Sequence, residues 1–104
     1  MPYIIVTTRF PLNKAKEVAQ KYIEERQKNP PDRSLGKEIL QGAIMADGDK
    51  IKTIGITEVK EGKGDEALIK TQDGMVAYHV IEGYEYKIEI FFSLFSDLCA
   101  EKNL

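Results

Sequence analysis

His79 is the only histidine of the chain; Tyr78 stands beside it and Met75 one helical turn before it. An imidazole titrates near neutrality, so in that company it can act as a general base or ligate a haem iron. Arg9 carries a planar guanidinium fork that suits a carboxylate or a phosphate. In an extended strand Arg9, Thr7, Ile5 and Tyr3 share one face, because side chains alternate with period two. Five tyrosines, Tyr3, Tyr22, Tyr78, Tyr84 and Tyr86, are many for so short a chain. Phenols orient small phenolic or carbonyl ligands, and they also fill cores with the hydroxyl reaching out. The candidate set is therefore His79 and Arg9 as catalytic residues, with Tyr78, Tyr86, Thr7 and Met75 as ligand-binding residues. Plainer readings stand beside it: a packed His79, and an Arg9 paired with Glu85 or Glu89.

Other motifs carry less. Asp47-Gly48-Asp49 echoes a calcium loop but lacks the remaining ligand positions and the closing glutamate, so it reads as a turn. Gly62-Lys63-Gly64 precedes a helix without the phosphate-loop pattern. The single cysteine, Cys99, has no second thiol to pair with and reads as a small apolar filler. No metal and no cofactor is expected.

The elements that must position these residues follow from periodicity. The stretch Tyr84 to Phe92 alternates Tyr86, Ile88 and Ile90 against Glu85, Lys87 and Glu89, which is a strand with one buried and one charged face. Tyr3 to Phe10 is a central strand, apolar on both faces. Asn13 caps a helix that ends before Pro30-Pro31, with Ala15, Val18, Ala19, Tyr22, Ile23 and Arg26 on its inner side. Ile39 to Ala46 and Ile51 to Val59 form a hairpin about Asp47-Gly48-Asp49. On its return arm Ile54 and Ile56 oppose Thr53, Gly55 and Thr57, and Gly42 and Gly55 leave room for another backbone or a ligand. Asp65 caps a second helix running to about Glu82, with Leu68, Met75 and His79 in one arc, Gly74 marking close packing, and Gly83 as its left-handed stop. Ser93 to Asn103 reads as a short helical tail.

The order strand-helix-strand-strand-helix-strand predicts an α+β ferredoxin-like plait, a four-stranded antiparallel sheet with both helices on one face. The first helix is expected to bury against Tyr86, Ile88 and Ile90. The other sheet face would show Ile5 or Ile4, Thr53, Thr57, Lys87 and Phe91. At 104 residues, 42% hydrophobic and 31% charged, the composition is that of a single folded domain, 1-104. No apolar run approaches the roughly 20 residues of a membrane span, and the N-terminus has no leader pattern, so a cytoplasmic location is expected. A net charge of -2 argues against a phosphate-binding surface. The third strand also lacks the aromatics on which RNA-recognition plaits stack bases, so no nucleic acid is expected.

The strand Tyr3–Thr8, the helix Asn13–Lys28, the hairpin at Asp47-Gly48-Asp49 and the strand Tyr84–Phe92 after Gly83 together resemble the dimeric α+β-barrel superfamily. The resemblance covers about nine-tenths of the chain at the level of element order and length. In that superfamily two plaits pack sheet to sheet. Its members range from cofactor-free oxygenases and isomerases to haem-degrading enzymes and ligand-sensing domains. The resemblance implies a homodimer or higher oligomer, with a small-molecule site between the sheet and the second helix. The expected function is a self-associating small-molecule-binding or assembly module. The alternative is a cofactor-independent enzyme with His79 as its base.

Overall fold

The computed structural model describes residues 2–92. The expected tail, Ser93 to Asn103, and Cys99 lie outside the described residues. Four strands, β1 (Pro2–Pro11), β2 (Gly36–Asp47), β3 (Lys50–Val59) and β4 (Glu85–Phe92), form one antiparallel sheet in the order β2-β3-β1-β4. Helix α1 (Ala15–Lys28) joins β1 to β2, and α2 (Gly64–Val76) joins β3 to β4. This is the ferredoxin-like arrangement expected from the element order, with β1 and β3 central.

Register decides which side chains share a face. Ile4, Val6 and Thr8 of β1 stand opposite Thr57, Gly55 and Thr53 of β3, and opposite Ile90, Ile88 and Tyr86 of β4. Ile4, Thr8 and Phe10 are buried, so this is the helix-covered face. The expectation that Thr53 and Thr57 lie on the open face is therefore corrected. Ile51 and Val59 are both buried, at the two ends of β3. A regular strand has one parity, so residues 53, 55 and 57 between them must face the same way. Ile54 and Ile56 are thereby turned to the open face with Ile5 and Thr7. Lys87 and Phe91 are on that face as expected.

The hairpin closes through Gly48-Asp49, with Gly48 at φ +65°, a left-handed turn conformation that glycine adopts without penalty. Strand β2 is irregular, shifting register between Glu38 and Leu40 and again before Ala43. Such bulges twist an edge strand and make it a poor template for further pairing.

The helix starts shift from the sequence reading, α1 later and α2 earlier, and the helices differ in role. A 3₁₀ turn, Leu12–Lys14, precedes α1, so Asn13 sits inside that turn and provides no side-chain cap. Helix α2 starts at Gly64, which places Asp65 in the first turn rather than at the cap. It gives way to a 3₁₀ turn, Ala77–Val80, instead of running to Glu82. Gly83 does take the left-handed φ of +82°, and an added Cβ there would meet Pro11 Cγ at 2.8 Å. The core cluster is Ile4, Val59 and Ala67, with Val6, Leu35, Leu68 and Ile88 packed against it. Its helical members belong to α2. No residue of α1 is buried, and Ile23 and Tyr22 stay exposed. The expected burial of the first helix against Tyr86, Ile88 and Ile90 is thus corrected: Arg26, at the end of its otherwise apolar inner side, is bonded to Glu38 at the sheet edge and keeps its charge there rather than over the sheet.

Candidate functional site

Because α1 stands away from the sheet, the helix-covered face encloses space. An open cavity of about 1520 Å³ lies between β1, β2 and β3 on one side and the two helices on the other. That exceeds the roughly 300–1,000 Å³ of ordinary small-molecule sites. Its floor is made of small side chains, Val6, Thr8, Thr53, Gly55 and Thr57. Thr8 Oγ1 and Thr53 Oγ1 are 2.5 Å apart and hydrogen-bonded. Gly74 borders the cavity from α2, and a Cβ built on it meets no atom within 4 Å. The close packing expected at Gly74 is absent for the same reason that the cavity exists.

One wall is aromatic. Tyr78 stacks on Tyr84 with centroids 4.8 Å apart and planes 15° apart, and Tyr84 stacks in turn on Phe10 at 5.9 Å. The 3₁₀ turn after α2 swings Tyr78 inward, where it is buried. Burial pushes the Tyr78 phenol up to about 12, with Glu25 and Tyr22 adding and Arg26 opposing. Burial pushes Tyr84 up as well, against a hydrogen bond with Thr8. Both rings are neutral hydroxyls at ordinary pH.

The rim is ionic. Arg26 donates to both oxygens of Glu38, Nη1 to Oε1 at 2.6 Å and Nη2 to Oε2 at 3.1 Å. Gln41 also donates to Glu38 Oε2. These hydrogen bonds hold the Glu38 carboxyl below its usual range and Arg26 above its own. Arg26 also lies over the Tyr22 ring, 5.6 Å from its centroid. The bulged start of β2 supplies Glu38 and the last turn of α1 supplies Arg26, so the pair ties the detached helix to the sheet edge.

Of the residues singled out from sequence, Tyr78 and Met75 line this cavity. His79, Tyr86, Arg9 and Thr7 do not. His79 is on the outside of the 3₁₀ turn, where its Nε2 lies 2.8 Å from the Tyr86 hydroxyl and its ring stacks on Tyr86 at 5.6 Å. The helix ends at Val76, which breaks the arc that would have turned His79 inward. Thr7 and Arg9 point to the open face, and Arg9 Nη2 pairs with Asp47 at 3.1 Å rather than with Glu85 or Glu89. Glu85 instead meets Lys50 at 3.5 Å, and Glu89 meets Lys87 at 3.6 Å. The sheet separates the proposed catalytic pair, Arg9 and His79, by parity: Thr7 and Arg9 are on one side, Tyr78 and Met75 on the other.

Sequence reasoning missed Tyr84, Arg26, Glu38 and the three threonines as site residues. Arg26 had a signal, a guanidinium on the inner side of an amphipathic helix. Glu38 had none, since its orientation depends on the bulges that follow it. Among the described residues no group of three or more His, Cys, Asp or Glu is placed to hold a metal ion. None of their helices is long and apolar enough to cross a membrane.

No family model and no curated protein matches the chain. Solved structures do. The designed protein Foldit4 superposes with a TM-score of 0.53 at 6% identity, over 88% of this chain and 97% of that one. A formyltetrahydrofolate deformylase from Pseudomonas putida KT2440 gives 0.46 at 10% identity, over 84% of this chain and 28% of the deformylase. The designed protein Ferredog-Diesel gives 0.46 at 11% identity, over 84% and 83% of the two chains. At such identities the likeness to Foldit4 shows the fold alone.

Proposed function

We propose that this chain is a small-molecule-binding module of the dimeric α+β-barrel type, with its ligand in the helix-side cavity and a second copy on the opposite sheet face. The cavity carries the reading. It is large and open, floored by small side chains, walled in part by neutral phenols and edged by an ion pair. Such a site offers apolar surface with a few convergent hydrogen-bonding groups, the usual composition of a binding pocket. The enzymatic alternative loses its support, because His79, its only named base, is outside the cavity and engaged with Tyr86.

The test uses diphenylhexatriene, a hydrocarbon dye that fluoresces in apolar surroundings. Gly74→Leu adds a side chain where the backbone leaves open space beside the cavity. The wild-type protein should bind the dye in a saturable way, and Gly74→Leu should lose most of that binding while remaining folded. Equal dye binding by both proteins, or none by the wild type, contradicts the proposal.

A further inference from the structure

Tyr78 is 6% exposed, and its hydroxyl has no hydrogen-bond partner among the described residues. The neighbouring polar groups are already engaged: Arg26 and Gln41 with Glu38, and Thr8 with Thr53. Among the described residues the sealed side-chain atom without a partner is Arg9 Nε, so the Tyr78 hydroxyl opens onto the cavity that its ring lines. A hydroxyl that opens onto the cavity and meets no side-chain partner is free to donate to an acceptor placed there.

The formal charges that border the site cancel, and its best-placed cation is already paired. Five cations, Arg26, Arg33, Lys37, Lys60 and Lys70, border the cavity, and five carboxylates balance them. Arg26, the guanidinium beside Tyr78, is already neutralised through two hydrogen bonds. An anionic ligand would have to displace Glu38 to use it, and a cationic ligand would have to displace Arg26. The wall itself presents Tyr78 and Tyr84, stacked on each other and backed by the buried Phe10, with Tyr22 nearby. Aromatic faces and edges of that kind favour another ring system over an alkyl chain.

Resting on the reading of this cavity as a ligand site, we infer that it takes an uncharged aromatic carbonyl compound whose oxygen accepts a hydrogen bond from the Tyr78 hydroxyl. The phenol stays protonated across the ordinary pH range and therefore donates. The carbonyl fills the role that no side chain fills, and the ring system lies against the aromatic wall.

The probe is prodan, a neutral naphthalene ketone whose emission shifts when its carbonyl accepts a hydrogen bond. It is titrated into the wild type and Tyr78→Phe, with diphenylhexatriene, which has no acceptor, as the control. Tyr78→Phe should bind prodan about 3- to 10-fold more weakly and lose the emission shift, with diphenylhexatriene binding unchanged. Equal prodan affinity in the two proteins overturns the inference. So does tighter wild-type binding of the anionic anilinonaphthalenesulfonate than of prodan. Equal loss of both dyes in Tyr78→Phe would assign Tyr78 to cavity shape alone and overturn the hydrogen bond. In all three cases the hydrocarbon dye binding to the wild type would leave the cavity reading standing. Failure of that dye to bind the wild type would remove both.

Discussion

Single residues do different work here from what their chemistry advertises. His79 is the residue type most often recruited for acid-base catalysis, yet it faces outward and bonds Tyr86. Glu38, unremarked in sequence, holds Arg26 and Gln41 and so fixes the rim. Its folded value lies below 4.5, the unperturbed reference. A depressed carboxyl stabilises the fold above its unfolded value, and that contribution disappears as pH falls through the folded value. Glu38→Gln should therefore cost about 1 kcal/mol at neutral pH, a figure kept low because both side chains remain about one-quarter to one-third exposed. Denaturant titrations of the two proteins should converge as the pH drops below about 4.5. A difference that persists undiminished in strong acid would show that the carboxylate pairing is not its source.

The elements were legible in the sequence wherever a period-two or helical pattern ran unbroken, as in Tyr84 to Phe92. Strand order followed from element order. What the sequence hid was depth. Ile54 and Ile56 look like core residues, but the buried ends of β3, Ile51 and Val59, have the opposite parity. That parity was readable and overrides the bulk of the residues between. The detachment of α1 was not readable, because it depends on how far an amphipathic helix carrying Arg26 can approach a floor of threonines. Two glycines show the same distinction. Gly83 has a left-handed φ and Pro11 pressed against it, whereas Gly74 has open space around it in a helix interior. Gly74→Ala should raise stability by about 0.5–1 kcal/mol, and Gly83→Ala should lower it by more. Thermal or denaturant unfolding reads both. A destabilised Gly74→Ala would mean that α2 lies closer to the sheet than described.

At the scale of the whole molecule, the sheet has two faces, to which the proposed function gives two uses. The helix face encloses the cavity. The open face carries Ile5, Ile54 and Ile56 in its centre, with Phe91 and Met45 largely exposed beside them. Glu58 lies toward one end of this face and Lys52 toward the other, while Glu89 is paired with Lys87 and Lys50 with Glu85. A two-fold axis across the strands would bury both apolar centres against each other, the self-complementary pattern of a symmetric dimer. In the proposed function the second copy takes this face and the ligand the other. Separate uses should be separable by mutation. The decisive measurement is sedimentation velocity in the presence of diphenylhexatriene, followed both in the protein band and in the dye band, for the wild type and Ile54→Lys. The wild type should sediment as a dimer or higher multiple carrying dye, and Ile54→Lys as a monomer that still carries dye. A monomeric wild type, or an Ile54→Lys protein that loses the dye along with its partner, would contradict the division of the two faces.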